Sequence, residues 1–199
     1  MPINVKLDSN LIKVPLLILF LLPLVMAAWQ FYNDTLGVNP IEKNTHITGE
    51  WALRLLLITL AISPARKIFR INGLIHLRRL FGLLSFFYAL SHLLIYAILD
   101  QWLDWQAIID DIKDRPYITI GFAAFVMLIP LAITSTDDMQ HKLQNTWVRL
   151  HKLIYVISIF AILHFWWLVK ADILEPLIYA LILASLLGYR IFNRWLASV

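Results

Sequence analysis

Cysteine is absent from all 199 residues. This excludes structural disulfides, iron–sulfur clusters and thiolate-type zinc sites within the chain. Charge is scarce: Asp, Glu, Lys and Arg make up 15% of the sequence, where an ordinary soluble domain carries about 25%. No Gly-x-Gly-x-x-Gly loop occurs, so nothing points to a nicotinamide-binding domain. No basic block with interleaved aromatics occurs either, so no nucleic-acid partner is expected. What the chain has instead is 60% apolar residues. A chain of this length has no soluble core large enough to hide that surface, and membrane lipid is the expected solvent.

Six apolar segments lie at roughly 14–33, 50–63, 79–99, 117–134, 150–169 and 173–190, near the length that a ~30 Å hydrocarbon core demands. The first follows Lys6 and Lys13 and resembles a signal peptide. It continues through Trp29–Tyr32, contains Pro15 and Pro23, and offers only a poor cleavage site at Met26-Ala27-Ala28, so it reads as a retained span. Pro176 falls in a first turn, where proline is tolerated, and Pro130 is predicted to kink its helix. The chain shows no internal repeat, no low-complexity stretch and no soluble domain. A single transmembrane domain over 1–199 accounts for it.

Lys and Arg set the orientation. With the N-terminus in the cytoplasm, the inner segments hold twelve: Lys6, Lys13, Arg66, Lys67, Arg70, Arg78, Arg79, Lys142, Arg149, Lys152, Arg190 and Arg194. The outer segments hold four: Lys43, Lys113, Arg115 and Lys170. Both termini are therefore placed inside. Asp100, Asp104, Asp110, Asp111 and Asp114 crowd the outer connection after the third span. That connection is predicted to form a short interfacial helix, with Trp102, Leu103, Trp105, Ile108 and Ile109 toward lipid or a partner.

Three histidines fall within the apolar segments: His92, His151 and His164. An imidazole in hydrocarbon is costly and needs a partner, and a heme iron is one. With no Cys-x-x-Cys-His attachment, such a heme is held by non-covalent contacts and axial ligands. His92 lies past the middle of the third span, and His164 about 20 Å beyond His151 in the fifth. Those spans run parallel, so His92 and His164 are expected at matched depth in the outer half, facing one iron. His151 is left at the inner level, where Arg78 stands on the third span. On a straight helix His151 and His164 lie about 140° apart. They share a groove only if the fifth helix bends. The competing reading is that these histidines are interhelical hydrogen-bonding glue.

Other residues carry two readings each. Arg78 and Arg79 serve as positive-inside anchors, or as partners of heme propionates or a flavin phosphate. Glu50 and Arg54 form an i,i+4 pair, with a propionate contact for Arg54 as the alternative. Trp166 and Trp167 read as aromatic-belt anchors. Tyr96 and Tyr155 suit interhelical or cofactor hydrogen bonds. His46, His76 and His141 fall in predicted loops and carry no ligand assignment.

The segments Arg78-Arg79-Leu-Phe-Gly82 through His92-Leu-Leu-Ile-Tyr96, Arg115-Pro116-Tyr117-Ile-Thr-Ile-Gly121, Ala132-Ile-Thr-Ser135-Thr136 and Leu150-His151-x-x-x-Tyr155 through His164 carry a family likeness. As a set they resemble the MsrQ (YedZ) family, the heme-binding membrane subunits of the bacterial periplasmic methionine sulfoxide reductase system. The likeness runs from Gly37 to Tyr189. More distantly, the two histidine-bearing helices are similar to the membrane domain of ferric reductases and NADPH oxidases. Those relatives offer two histidines on each helix, whereas Arg78 stands here at the inner position of the third. The resemblance implies an all-α, ferric-reductase-like bundle in the bacterial inner membrane. It also implies heme b, FMN, electrons from the quinone pool and a periplasmic molybdopterin-containing partner that performs the sulfoxide reduction itself. Three alternatives remain open: a ferric-reductase-like cytochrome serving another acceptor, a non-redox scaffold or permease, and a quinone-only anchor subunit.

Overall fold

The computed structural model describes residues 10–169 and 173–196. Lys6 and Lys170, both used in the charge count, lie outside the described residues, as does the side chain of Arg194. Every regular element among the described residues is helical. In order they are α1 (Asn10–Tyr32), α2 (Pro40–Phe69), a 3₁₀ turn (Asn72–His76), α3 (Leu77–Leu94) with a π-helical continuation (Ile95–Asp100), α4 (Trp105–Asp114), α5 (Pro116–Ile133), α6 (Asp137–Leu150), α7 (Leu153–Leu168) and α8 (Leu174–Leu196).

Helix α2 departs most from the hydropathy pattern. It begins at Pro40 rather than near residue 50, because local signals set its ends. The Asn39 side chain accepts from the Glu42 N–H, Pro40 fills the first turn, and Arg70 closes the helix in the left-handed region at φ 57°. Its early polar residues are sheltered by protein: Asn44 and Thr48 are both buried. Further along, Leu53, Leu55, Leu56, Leu57 and Leu60 are no more than 5% exposed. The helix packs on α1, α3, α7 and α8, so it forms the axis of the bundle.

Four helical stretches are long and apolar enough to cross a membrane: Asn10–Tyr32, Asn72–Asp100, Pro116–Ile133 and Leu174–Asn193. Helices α6 and α7 together supply a fifth, bent by 49°. Helix α2 falls short on composition, despite its 30 residues. Its neighbours are other helices, and a helix shielded from lipid does not need apolar residues all round.

Two cores meet at α2. One joins it to α5, α7 and α8 through Leu53, Leu57, Leu128, Ile157 and Leu183, and the other to α1 and α3 through Leu55, Phe81, Leu84 and Tyr88. The outer surface stays apolar, with Ile18, Leu19, Val25, Leu181 and Ile182 exposed. Helix α5 runs as one element through Pro130, where a kink is predicted. Its C-terminus is closed by Thr134, whose hydroxyl donates to the Pro130 carbonyl at 2.6 Å. The stretch between the fourth and fifth predicted spans is helical: Thr136 caps α6 by accepting from the Met139 N–H.

Candidate functional site

Helix α3 carries His92 and helix α7 carries His164. Their rings face each other with centroids 6.1 Å apart and planes at 86°. An imidazole nitrogen binds a first-row metal at about 2 Å and the ring centre lies ~1 Å further back, so two imidazoles on one metal stand about 6 Å apart.

Each ring spends one nitrogen on the protein. His92 Nδ1 bonds the Thr45 carbonyl of α2 at 2.8 Å. His164 Nδ1 bonds the Tyr117 carbonyl of α5 at 2.7 Å. A carbonyl can only accept, so Nδ1 carries the proton in both rings and Nε2 presents its lone pair. The two bonds span the same 47 residues of sequence. Four residues after each carbonyl stands a glycine, Gly49 on α2 and Gly121 on α5, in contact with the imidazole it faces. The arrangement is thus built twice, by α2 with α3 and by α5 with α7. The amino-acid sequence shows no repeat because only three positions per copy keep the geometry.

Both histidines line a cavity of about 540 Å³, within the usual range for a cofactor pocket. Its walls are apolar, with Leu53, Leu56, Phe125, Leu128, Ile157 and Phe165, and its polar margin holds His46, Glu50, Tyr96, Asp100 and Arg115. Helix α4 covers one side. Ile108, predicted to face lipid or a partner, is buried and lines the cavity with Ile112. Trp102, Trp105 and Ile109 stay exposed. Asp111 fastens this cover, accepting from the Tyr96 hydroxyl at 2.9 Å and pairing with Arg115 at 3.1 Å. The hydrogen bond to Tyr117, with Asp111 nearby, holds the Arg115 guanidinium above its already high ordinary pKa.

No cluster of three or more His, Cys, Asp or Glu able to hold a bare ion occurs among the described residues. Two imidazoles alone suit a metal that brings its own equatorial ligands.

The remaining expected site residues lie elsewhere. Arg54 bonds Glu50 at 2.7 Å and the Tyr179 hydroxyl of α8 at 2.8 Å, and it is Glu50 that reaches the cavity lining. His151 sits in the break between α6 and α7, outside both helices, so the straight-helix angle to His164 does not apply. Its Nε2 lies 3.1 Å from the Thr134 hydroxyl, and its ring stacks on Trp147 with centroids 3.9 Å apart. Arg79 is exposed and pairs with Asp137. Arg78 is partly buried within electrostatic reach of His151, Tyr155 and Arg190. Arg190 bonds the Tyr155 hydroxyl at 2.7 Å and the Leu60 carbonyl, while its Nε is buried with no hydrogen-bond partner among the described residues.

Sequence reasoning missed Thr45, Gly49, Gly121, His46 and Arg190. A glycine inside an apolar helical run is the signal that could have found Gly121, whereas Gly49 precedes the second apolar segment among polar residues. His46 was assigned to a loop, but it lies on α2.

Residues 48–162 match the family model described as the ferric reductase like transmembrane component. Across 180 residues the chain is 51% identical to a protein of Xanthomonas campestris pv. campestris (strain B100) named protein-methionine-sulfoxide reductase heme-binding subunit MsrQ. That alignment covers 87% of this chain and 83% of the relative. The chain belongs to the MsrQ family. A second MsrQ relative, from Herminiimonas arsenicoxydans, is 46% identical over 189 residues, covering 94% of this chain and 87% of its own length. No solved structure matches. With several helices able to span a bilayer and a transmembrane family assignment, this MsrQ-family chain is a multi-pass membrane protein. The matched region includes Gly49, His92, Gly121 and His151 and ends just before His164.

Proposed function

We propose that this chain is a b-type cytochrome of the bacterial inner membrane. It would form one transmembrane domain over 1–199, with α2 as the sixth span and both termini in the cytoplasm. It takes electrons from the quinone pool and delivers them to a periplasmic molybdopterin-containing methionine sulfoxide reductase subunit, which carries out the sulfoxide chemistry. The observation that carries this reading is the facing pair His92 and His164, each with Nδ1 committed to a carbonyl and Nε2 left for a ligand. The names of the relatives supply the heme and the sulfoxide reductase system.

The donor set fits heme b: two neutral imidazoles at metal-spanning distance in an apolar cavity. When bound, heme supplies a one-electron iron couple. The chain's residues do the rest. His92 and His164 would hold the iron through their Nε2 atoms. The Thr45 and Tyr117 carbonyls fix the tautomer and raise the basicity of the ligands. The apolar walls exclude water. Arg54 acts at the margin through Glu50.

At the inner level we assign His151 to a second heme, and Arg78 and Arg79 to heme propionates or an FMN phosphate. Arg190 joins them, because its unpartnered buried Nε suits an anionic oxygen. The exposed apolar exterior is assigned to membrane lipid.

The test is the visible spectrum of the purified protein beside its variants. We expect a Soret band, its marked loss in His92→Ala and His164→Ala, and reoxidation of the reduced protein when the partner and oxidised methionine are added. A colourless wild type, or two alanine variants with full heme content, would sink the proposal. The ferric-reductase-like match favours one second reading, a cytochrome serving another acceptor. Rapid reoxidation by a ferric chelate and none by the partner would select it.

A further inference from the structure

Resting on the reading of His92 and His164 as ligands of one heme iron, we propose that Gly49 and Gly121 are positioning residues. Each is the floor on which an imidazole lies, so that its Nδ1–H reaches the helix carbonyl one turn earlier.

In an α-helix the carbonyl at position i receives the N–H of position i+4. That carbonyl keeps a second lone pair, but the Cβ at i+4 normally stands beside it. Glycine at i+4 removes the Cβ and bares the acceptor. Here the carbonyls belong to Thr45 and Tyr117, and the residues one turn on are Gly49 and Gly121. A Cβ built at Gly49 would stand 3.0 Å from His92 Nδ1 and 3.1 Å from its Cε1. A Cβ at Gly121 would stand 2.6 Å from His164 Nδ1, 2.9 Å from Cε1 and 3.0 Å from Cγ. Neither imidazole can keep its place over an alanine. Over Gly121 the ring must rise from the helix and Nδ1 leaves its carbonyl; over Gly49 the ring shifts slightly and the Nδ1–H bond lengthens.

The two glycines differ in degree. At Gly49 a shift of a few tenths of an ångström relieves the contact. At Gly121 three ring atoms stand at or within 3.0 Å, so the imidazole itself must be displaced. The other glycines of the helical core provide controls. Gly82 faces only the Thr59 methyl, at an ordinary 3.7 Å, and Gly188 has no atom within 4 Å.

Weakening or losing the Nδ1–H bond makes an imidazole a weaker donor to ferric iron, so the midpoint potential should rise. The ring planes now stand at 86°, and axial ligands crossed in this way give low-spin ferric heme a single, strongly low-field EPR feature. Moving one ring should carry that feature toward the three-line rhombic pattern of ligands that lie more nearly parallel.

The experiment compares wild type, Gly49→Ala, Gly121→Ala and Gly82→Ala as purified full-length chains, by heme content, EPR and redox titration. We expect Gly82→Ala to match wild type. Gly49→Ala should keep its heme with a raised midpoint and an altered EPR spectrum. Gly121→Ala should retain heme about 10-fold less well or worse. If Gly121→Ala does not accumulate, Gly49→Ala decides alone. Heme-loaded Gly49→Ala with the wild-type midpoint and spectrum overturns the positioning role and leaves the cytochrome reading standing. A wild type without heme overturns both.

Discussion

Tyr88 shows what one side chain contributes to this bundle. It is fully buried on α3, and its hydroxyl donates to the Phe20 carbonyl at 2.7 Å and accepts from the Leu24 N–H at 3.2 Å. Those two groups of α1 are the i and i+4 partners of an ordinary helical bond. The hydroxyl therefore bridges two neighbouring groups of the ladder, next to Pro23, which supplies no N–H of its own. Tyr88→Phe removes both of these hydrogen bonds between α3 and α1. We expect a loss of about 1–3 kcal/mol, seen as a lower thermal midpoint in detergent with the visible spectrum unchanged. An unaltered midpoint would mean that water replaces the hydroxyl. The proline was legible in the sequence. The tyrosine that bonds the helix beside it, 64 positions from Leu24, was not.

At the scale of elements, the ends of helices decide more than their middles. Helix α2 stops at Arg70 in the left-handed region, where a Cβ is unfavourable. Arg70→Gly is expected to raise stability by about 0.5–1 kcal/mol, measured by thermal unfolding, and a lower midpoint would show that the side chain is needed where it lies. The break between α6 and α7 is held by the end of α5. The Trp147 indole N–H donates to the Thr134 carbonyl at 2.8 Å, and the Thr134 hydroxyl meets His151. This takes His151 off the helix that carries His164, so the two histidines vary independently. His151→Ala should remove a second heme signal while the His92–His164 signal persists. An unchanged heme count would strike His151 from the ligand set.

For the whole molecule, the proposed six-span topology hinges on α2. Counting only helices of sufficient apolarity gives four spans, or five with the bent pair, whereas the positive-inside distribution calls for an even number. Adding α2 makes six. A fluorescent reporter that matures only in the cytoplasm, fused after Val199, is expected to light up. An export-dependent reporter placed in the outer connection at Gln101–Asp104 is expected to be active. A dark C-terminal fusion would remove α2 from the spans and reverse the exit of the chain.

The sequence by itself determined the solvent, the helical class, the position of five apolar spans and the three histidines worth examining. Each is a property of composition or of residues close along the chain, and lipid rewards a continuous apolar run wherever it occurs. It underestimated α2, because hydropathy measures suitability for lipid and α2 is surrounded by protein. Only the tertiary structure decided that His92 and His164 share one cavity and that two glycine-backed carbonyls hold their rings. It alone moved His151 to a helix break beside Thr134 and tied Arg54 to Tyr179. Those contacts join residues 17 to 125 positions apart, across helices whose rotation about their own axes no local pattern specifies. That rotation is set by packing, and packing decides which nitrogen of a histidine is spent and which is left to bind.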